Sequence, residues 1–429
     1  MALTGRAALL ALIGTLAAVL LRTVPGLVTV DGLIALAIVA DVVLAGSVGR
    51  LQMSRSGDTR IMLGERGAAT LTITNPGKRA VRGLLRDAWQ PSLGASGRAE
   101  LAIPAGGRAE VTTAMQPTRR GDKSAGKVTV RSVGPLGLAA RQASRVVPWT
   151  VRVLPPFLSR QHLPEKLARL RALEGQHRSL IRGQGSEFDS LREYVIGDDV
   201  RSIDWRSSAK RSEVVVRTWR PERDRRVILV LDTGRTSAGR VAGVPRLDAA
   251  MDAALLLAAL ASRAGDRVDL LAIDRLLRAR VVGASRTDVL PMMTDAMALL
   301  EPEIAESDGE LMARTLLATA RQRCLVVLLT DLNSAALELA LLPRIGLLSS
   351  RYRLVVAATA DPRLAELASS RADAAEVYQA AAAERARAER ARVGALLTRH
   401  GVDVVDAPPG RLAPALADCY LALKAAGRL

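Results

Sequence analysis

Residues 183–232 read GQGSEFDSLREYVIGDDVRSIDWRSSAKRSEVVVRTWRPERDRRVILVLD. No other stretch of the chain mixes charge, glycine and aromatic residues so densely. It holds Phe188, Tyr194, Trp205 and Trp219, in a chain with only 2 Phe, 4 Tyr and 4 Trp. It closes on RVILVLD (226–232), an unbroken apolar run of strand length ending at Asp232. A short run with no polar alternation is the pattern of a strand buried on both faces of a parallel sheet.

Beyond residue 232 the chain alternates strand and helix. RLDAAMDAALLLAALASRAG (246–265) reads as a helix ending at glycine, and RVDLLAI (267–273) and RARVV (278–282) as strands. DVLPMMTDAMALLE (288–301) and GELMARTLLATARQ (309–322) are helical, and CLVVLLTD (324–331) is a second buried strand ending on Asp. RYRLVVAATA (351–360) is a third strand, succeeded by an Ala/Arg/Glu helix over 374–400, a short strand at 402–405 and a closing helix at 411–427. Such alternation implies a doubly wound α/β domain, here residues 226–429. Ligands of such sheets lie at the carboxyl ends of the strands, where Asp232 and Asp331 both fall.

The chain opens differently. Residues 7–21 are uncharged and apolar, and residues 27–48 are apolar apart from Asp31 and Asp41, with RTVPG between them. The spacing predicts a transmembrane helical hairpin over residues 1–49, with spans of about 4–21 and 27–48. Arg50, Arg55 and Arg60 crowd the end of the second span, so the positive-inside rule places the N-terminus and everything after residue 50 in the cytoplasm. Asp31 would sit at the outer interface, and Asp41, deeper, would face a partner helix, an oligomer contact or a functional site. Residues 58–154 carry short alternating segments punctuated by NPGK, PAGG and GPLG, the pattern of an antiparallel, immunoglobulin-like β-sandwich. With no Cys there, it lacks an inter-sheet disulfide. Residues 155–225 join the sandwich to the α/β domain, starting with a basic helical connector.

The net charge of +18 is uneven: residues 50–153 hold 18 Lys/Arg against 6 Asp/Glu, whereas 227–429 are nearly balanced. A basic segment after an apolar N-terminus suits an anionic membrane leaflet. The competing reading, a nucleic-acid-associated membrane protein, lacks aromatic stacking positions and a recognised module. Three His and two Cys leave little room for a soft-ligand metal site, and Cys324 and Cys419 read as small buried hydrophobes. There is no phosphate loop of the Gly-x-x-x-x-Gly-Lys-Ser/Thr type and no nucleophile elbow around Ser186.

DTGRTS (232–237) puts a carboxylate and hydroxyls on a strand-end loop, an oxygen donor set of the kind that holds Mg²⁺. Here the C-terminal half resembles a von Willebrand factor A domain, whose metal site begins Asp-x-Ser-x-Ser. That resemblance implies ligands at Asp232, Thr236 and, from the later strand, Asp331. Gly234 departs from the pattern, and the intervening-loop threonine has no clear match, the loop around Glu306–Asp308 being the nearest candidate. Either the site is a degenerate Mg²⁺ site or its carboxylates cap helices and pair with arginine. A metal-dependent hydrolase using Asp232 and Asp331 is the enzymatic alternative.

The central block resembles the family called domain of unknown function 58, on Gly185, Glu187, Phe188, Leu191, Arg192, Tyr194, Gly197, Asp198, Asp199, Arg201, Ile203, Asp204 and Trp205. The resemblance implies a membrane anchor, a β-rich segment, a degenerate A-type domain, and a MoxR-type AAA+ ATPase as partner. Read by itself, the block interleaves aromatics with charge, which is a solvated face, a hot-spot surface for a protein partner or a packed ion-pair network that fixes a loop region; the expectation is a structured insert that packs on the A-type domain and contributes to a partner surface. The expectation is therefore a cytoplasm-facing adaptor without catalytic residues of its own.

Overall fold

The computed structural model describes residues 2–21, 24–180, 187–211, 213–220, 225–333 and 341–429. Residue contacts divide it into two units, Met1–Leu154 and Pro155–Leu429.

The first unit begins with a two-residue strand, β1 (Ala2–Leu3), and two apolar helices, α1 (Gly5–Leu21) and α2 (Val24–Leu44). The span Val28–Arg50 is long and apolar enough to cross a membrane; α1 is a shorter apolar helix. Nine strands come next: β2 (Gln52–Gly57), β3 (Arg60–Met62), β4 (Gly67–Thr74), β5 (Val81–Trp89), β6 (Arg98–Ile103), β7 (Arg108–Met115), β8 (Gly121–Val133), β9 (Ala139–Val146) and β10 (Thr150–Leu154). They form two sheets, one of β2-β4-β7 and one of β1-β9-β8-β10-β3 with β5 and β6 extending it beyond β8. The sandwich thus begins at Gln52, ahead of residue 58. Leu71 and Ile73 of one sheet meet Val81, Leu85, Val128 and Val130 of the other in one core. Alternate residues of these strands point inward, as a sheet with one wet face requires.

Between its two sheets this sandwich holds a polar knot. Arg55 and Asp87, both buried, form a two-pronged ion pair at 2.8 and 2.6 Å. Trp89 donates Nε1–H to the same carboxylate at 2.9 Å, and the Arg55 guanidinium stacks 4.7 Å from the Trp89 ring centre. A paired, bidentate guanidinium is the form in which an interior tolerates charge.

A second buried carboxylate fixes the apolar helices. Asp41, near the end of α2, is fully buried and accepts from the backbone amides of Leu136 (2.7 Å), Leu138 (2.7 Å) and Ala139 (2.8 Å). Those residues form the β8–β9 turn, so the acid that the sequence placed inside a membrane span is a clasp between helix and sheet. Gly134 permits it: a Cβ there would lie 2.2 Å from Asp41 Oδ1. β1 also pairs with β9, and Thr4 Oγ1 donates to the carbonyl of Gly137.

The second unit opens with the connector helix α3 (Leu163–Leu180). Strands β11 (Glu187–Glu193) and β12 (Val215–Arg220) pair antiparallel, with the short helix α4 (Trp205–Arg211) between them. Then come β13 (Arg226–Asp232), the small hairpin β14 (Arg240–Val241) and β15 (Val244–Pro245), α5 (Arg246–Arg263), β16 (Arg267–Ile273), β17 (Leu277–Val281), α6 (Val289–Ala298), α7 (Gly309–Thr319) and β18 (Leu325–Leu329). The chain closes with α8 (Leu342–Arg351), β19 (Arg353–Thr359), α9 (Arg363–Ser369), α10 (Ala374–Arg399), β20 (Asp403–Ala407) and α11 (Pro409–Ala425). The six-stranded sheet runs β17-β16-β13-β18-β19-β20, parallel except for edge strand β17. One face is covered by α5, α6 and α11, with α3 against them, and the other by α7, α8 and α10. Lys166 of α3 is buried and bonds Asp418 of α11 at 2.9 Å, which ties the connector to this domain.

Removing the charge on Asp41 while keeping its shape leaves amide donors facing an amide group. Asp41→Asn is expected to cost about 3 kcal/mol, read as a melting temperature of the detergent-purified full chain lowered by about 5 °C or more. An unshifted melt would show that the clasp contributes nothing.

Candidate functional site

The sheet reverses its winding between β13 and β18, and the loops beyond their carboxyl ends make the crevice in which such folds bind. Asp232 ends β13 there, nearly buried. Its Oδ1 accepts from the amide of Gly234 at 2.9 Å and from Ser307 Oγ; its Oδ2 accepts from Thr236 Oγ1 at 3.2 Å and Thr330 Oγ1 at 2.6 Å. Asp232 and Thr236 are therefore together, as the sequence predicts. Ser307 and Thr330 join them from loops 75 and 98 residues downstream, which local sequence does not reveal.

Gly234 is explained by the same contact. A Cβ at 234 would fall 2.2 Å from Ser307 Oγ and 2.9 Å from the carbonyl of Ala305. The 305–308 loop lies against the backbone of residue 234, so Ser307 brings a hydroxyl to the place where a side chain at 234 would begin. Arg235 holds the loop from the other side through its amide to Ala305 O (2.8 Å) and an ion pair with Glu306.

Asp331 faces two guanidinium groups. Arg246, at the start of α5, donates to its Oδ2 at 2.6 Å and to the carbonyl of Thr236 at 3.4 Å. Arg390, on α10, donates to its Oδ1 at 2.6 Å and grips Asp406 with two bonds of 2.7 Å. Burial works against the charge of Arg390, but the Asp406 hydrogen bonds and the Asp331 charge outweigh it and raise its pKa above the ordinary arginine value. The hydroxyls around Asp232 suit a hard cation, but the second carboxylate is already neutralised by two fixed positive charges. That arrangement does not fit Mg²⁺, which needs oxygen ligands with uncommitted lone pairs. Among the described residues no group of three or more His, Cys, Asp and Glu has the arrangement of a metal site.

Deeper in the same crevice, Asp274 is fully buried and accepts from Thr233 Oγ1 (2.8 Å), the amide of Leu276 (2.9 Å) and Arg278 (2.7 Å). Burial pushes its pKa up, and the Arg278, Leu276 and Thr233 bonds together overcome it, so the carboxyl titrates below its ordinary value. The thiol of Cys324 is pushed up to about 12 by burial, which makes it an inert core residue.

The central block folds around its own charge pairs. Arg192 donates to Asp198 at 2.6 Å, and Asp198 also accepts from the amide of Val195 at 3.0 Å. Asp199 caps a short 3-10 turn by accepting from the amide of Arg201. Asp204 accepts from the amide of Ser207 (3.0 Å) and from Arg217 (2.8 Å), which caps α4 and ties it to β12. The Arg192 bond holds Asp198 below the ordinary carboxylate range, and the Ser207 amide, then Arg217, does so for Asp204. Gly197 turns the chain at φ 110°, a conformation that favours glycine. Arg192, Glu193, Asp199, Arg201, Arg206 and Lys210 are exposed, and large apolar side chains stand among them: Ile196 is 97% exposed, Trp205 67%, Val195 61% and Val200 60%. Leu191 and Tyr194 are half-buried. Gly185 lies outside the described residues; Glu187 and Phe188 are on β11.

Residues 190–400 match the family described as "Protein of unknown function DUF58". That stretch is a DUF58 domain. It takes in the central block from Ser190 onward, the Asp232 crevice and all of α10. Two relatives, uncharacterized proteins of Mycobacterium bovis and Mycobacterium tuberculosis, are each 27% identical over 231 residues, covering 50% of this chain and 72% of theirs. Among solved structures, the CARDB domain of the PF1109 protein from Pyrococcus furiosus is 14% identical and covers 24% of this chain and 87% of its own, at a TM-score of 0.19.

If the Asp331–Arg390 pair closes the DUF58 crevice, its partners are energetically coupled. Asp331→Asn and Arg390→Gln should each destabilise the full chain by about 3 kcal/mol. The double variant should cost at least about 1 kcal/mol less than the sum of the two, measured from urea midpoints. Strict additivity would show the pair to be without effect.

Proposed function

We propose that this protein is a membrane-anchored, cytoplasm-facing binding protein: an adaptor that uses its DUF58 block to hold a protein partner. The observation that carries the reading is the outward set Ile196, Trp205, Val195 and Val200, beside charges that neutralise one another within the block. Large apolar side chains raised on a loop system braced by hydrogen bonds are costly in water and useful at an interface, where Trp is a frequent anchor.

The α/β domain is read here as von Willebrand factor A-like. Its strand order, its antiparallel edge strand and the acid at the end of the first strand support this reading. In it, arginine takes the role of the cation: Arg246 links Thr236 to Asp331, and Arg390 links Asp331 to Asp406. Asp232, Thr236 and Asp331 then lock the crevice loops in place. The rim of that crevice exposes Ile304, Leu276 and Leu299, which extend the binding face. The partner we propose is a MoxR-type AAA+ ATPase, on the family resemblance of the central block.

The anchor is read as a hairpin of two spans. Exposed Leu9, Leu12, Ile13 and Leu16 on α1, and Val28, Leu33, Leu36 and Val39 on α2, support it, since both helices are apolar around their circumference. The start of α1 and the end of α2 both meet the sandwich, so the pair enters and leaves at one face.

Ile196→Asp and Trp205→Ala in the full chain should each reduce capture of the co-expressed ATPase about tenfold or more, with an unchanged melt. Unaltered capture by both variants would remove the block as the contact. For orientation, Arg66→Cys in the exposed β3–β4 turn should react with a membrane-impermeant maleimide only after cells are permeabilised. Labelling of intact cells would reverse the assignment.

A further inference from the structure

The end of the sandwich nearest the apolar helices has a charge pattern that the DUF58 domain does not explain. Arg6, Lys78, Arg79, Arg82 and Arg131 are all exposed there. Lys78 and Arg79 lie on the β4–β5 loop, which abuts the end of α2: Arg79 donates to the carbonyl of Val43, and a Cβ on Gly46 would fall 2.4 Å from the carbonyl of Ala80. Arg6 reaches the β8–β9 turn beside Gly137. Arg82 and Arg131 lie on adjacent strands, one residue to either side of the Gly83–Ser132 pair. The acid at this end, Asp41, is buried and spent on three amides. Exposed Glu100 is level with Arg131 across β5, so one acid borders the cluster, and Glu110 is paired to Arg108.

This end is also rigid and partly apolar. Asn75, buried, donates to the carbonyls of Arg79 and Pro104 and accepts from the amide of Gly77, which fixes the basic loop. The turn that Asp41 clasps presents Leu136, 53% exposed. A fixed ring of cations around an apolar tip, at the base of an apolar span, matches the polarity of a bilayer interface.

We propose that this end of the sandwich binds anionic phospholipid headgroups, with Leu136 entering the interface and Lys78, Arg79, Arg82, Arg131 and Arg6 meeting phosphate. The proposal rests on the membrane-anchored reading, because α2 must bring this end to the headgroup layer. Cations within a Debye length of an anionic leaflet are attracted to it, and the attraction falls with salt. The role is positional: it holds the sandwich flat against the bilayer rather than swinging on the helices.

The test reconstitutes the full chain into nanodiscs of phosphatidylcholine alone or with phosphatidylglycerol, and monitors amide exchange in residues 76–80 and 134–139. Mass spectrometry of lipid retained by the detergent-purified chain gives the headgroup preference. Phosphatidylglycerol should slow exchange in both loops and be retained about tenfold over phosphatidylcholine. The triple variant Lys78→Glu, Arg82→Glu, Arg131→Glu, all at exposed positions, should abolish both effects with an unchanged melt. Incorporation into both discs without a headgroup preference overturns the surface alone. Failure to enter either disc overturns the membrane reading and the surface with it. Displacement of phosphatidylglycerol by short duplex DNA would assign the charge to nucleic acid and overturn the proposal.

Discussion

The burial of aspartate is the constraint on which the rest of this structure depends. An ionised carboxylate in a protein interior is stable only where donors or cations surround it, so each buried acid dictates what must come to it. Asp41 draws the β8–β9 turn to the helix, and Asp87 draws Arg55 and Trp89 across the sandwich. Asp232 gathers three hydroxyls from separate loops, and Asp331 brings α5 and α10 together through arginine. Asp266 does the same for the last helix, accepting from Tyr420 at 2.5 Å and Lys424 at 3.1 Å. The cores themselves are mostly Leu, Val and Ala, with 2% aromatics in the chain as a whole. Small aliphatic side chains repack with little cost, and they specify position weakly. Directional bonds to buried carboxylates supply the registration that aromatic packing provides elsewhere.

In the crevice two guanidinium groups act as ties: Arg246 joins Asp331 to the carbonyl of Thr236, and Arg390 joins Asp331 to Asp406. A guanidinium and a divalent cation can both neutralise charge and tie loops together. They differ in what remains open. A cation keeps exchangeable positions for a ligand's oxygen, whereas Arg246 and Arg390 are held on α5 and α10 and leave Asp331 with its charge already balanced. The crevice floor is closed by these ion pairs, while Ile196 and Trp205 of the central block stand exposed to solvent.

Legibility in the sequence depended on distance along the chain. The strand 226–232 was readable to the residue because burial on both faces leaves an unbroken apolar run. The apolar helices, the short strands of the sandwich and the alternation of the last two hundred residues were readable for the same reason: their signal is local. Strands β2, β3, β5 and β9 are less legible: VRGLLRDAW and AARQASRV, for example, mix polar residues and a glycine into positions where neighbouring strands decide. The β11–β12 pair was hidden among charges that turned out to bond one another.

The candidate site divides along the same line. Asp232 and Asp331 lie at the carboxyl ends of their strands, and Thr236 and Ser307, of the 306–308 loop, both donate to Asp232. Arg390 gave no warning, because Arg385, Arg387, Arg390 and Arg392 look alike on a helix of Ala, Arg and Glu. Only the third of these reaches both Asp331 and Asp406, and it does so because α10 crosses the carboxyl ends of β18 and β20 at that turn. Asp41 is the clearest case. From sequence Asp41 reads as an acid facing a partner helix, an oligomer contact or a functional site; in the structure its partners are the amides of a turn 97 residues further along the chain. A lone charge in a hydrophobic run is therefore a statement that a partner exists, and the identity of the partner is set by packing that no local window contains.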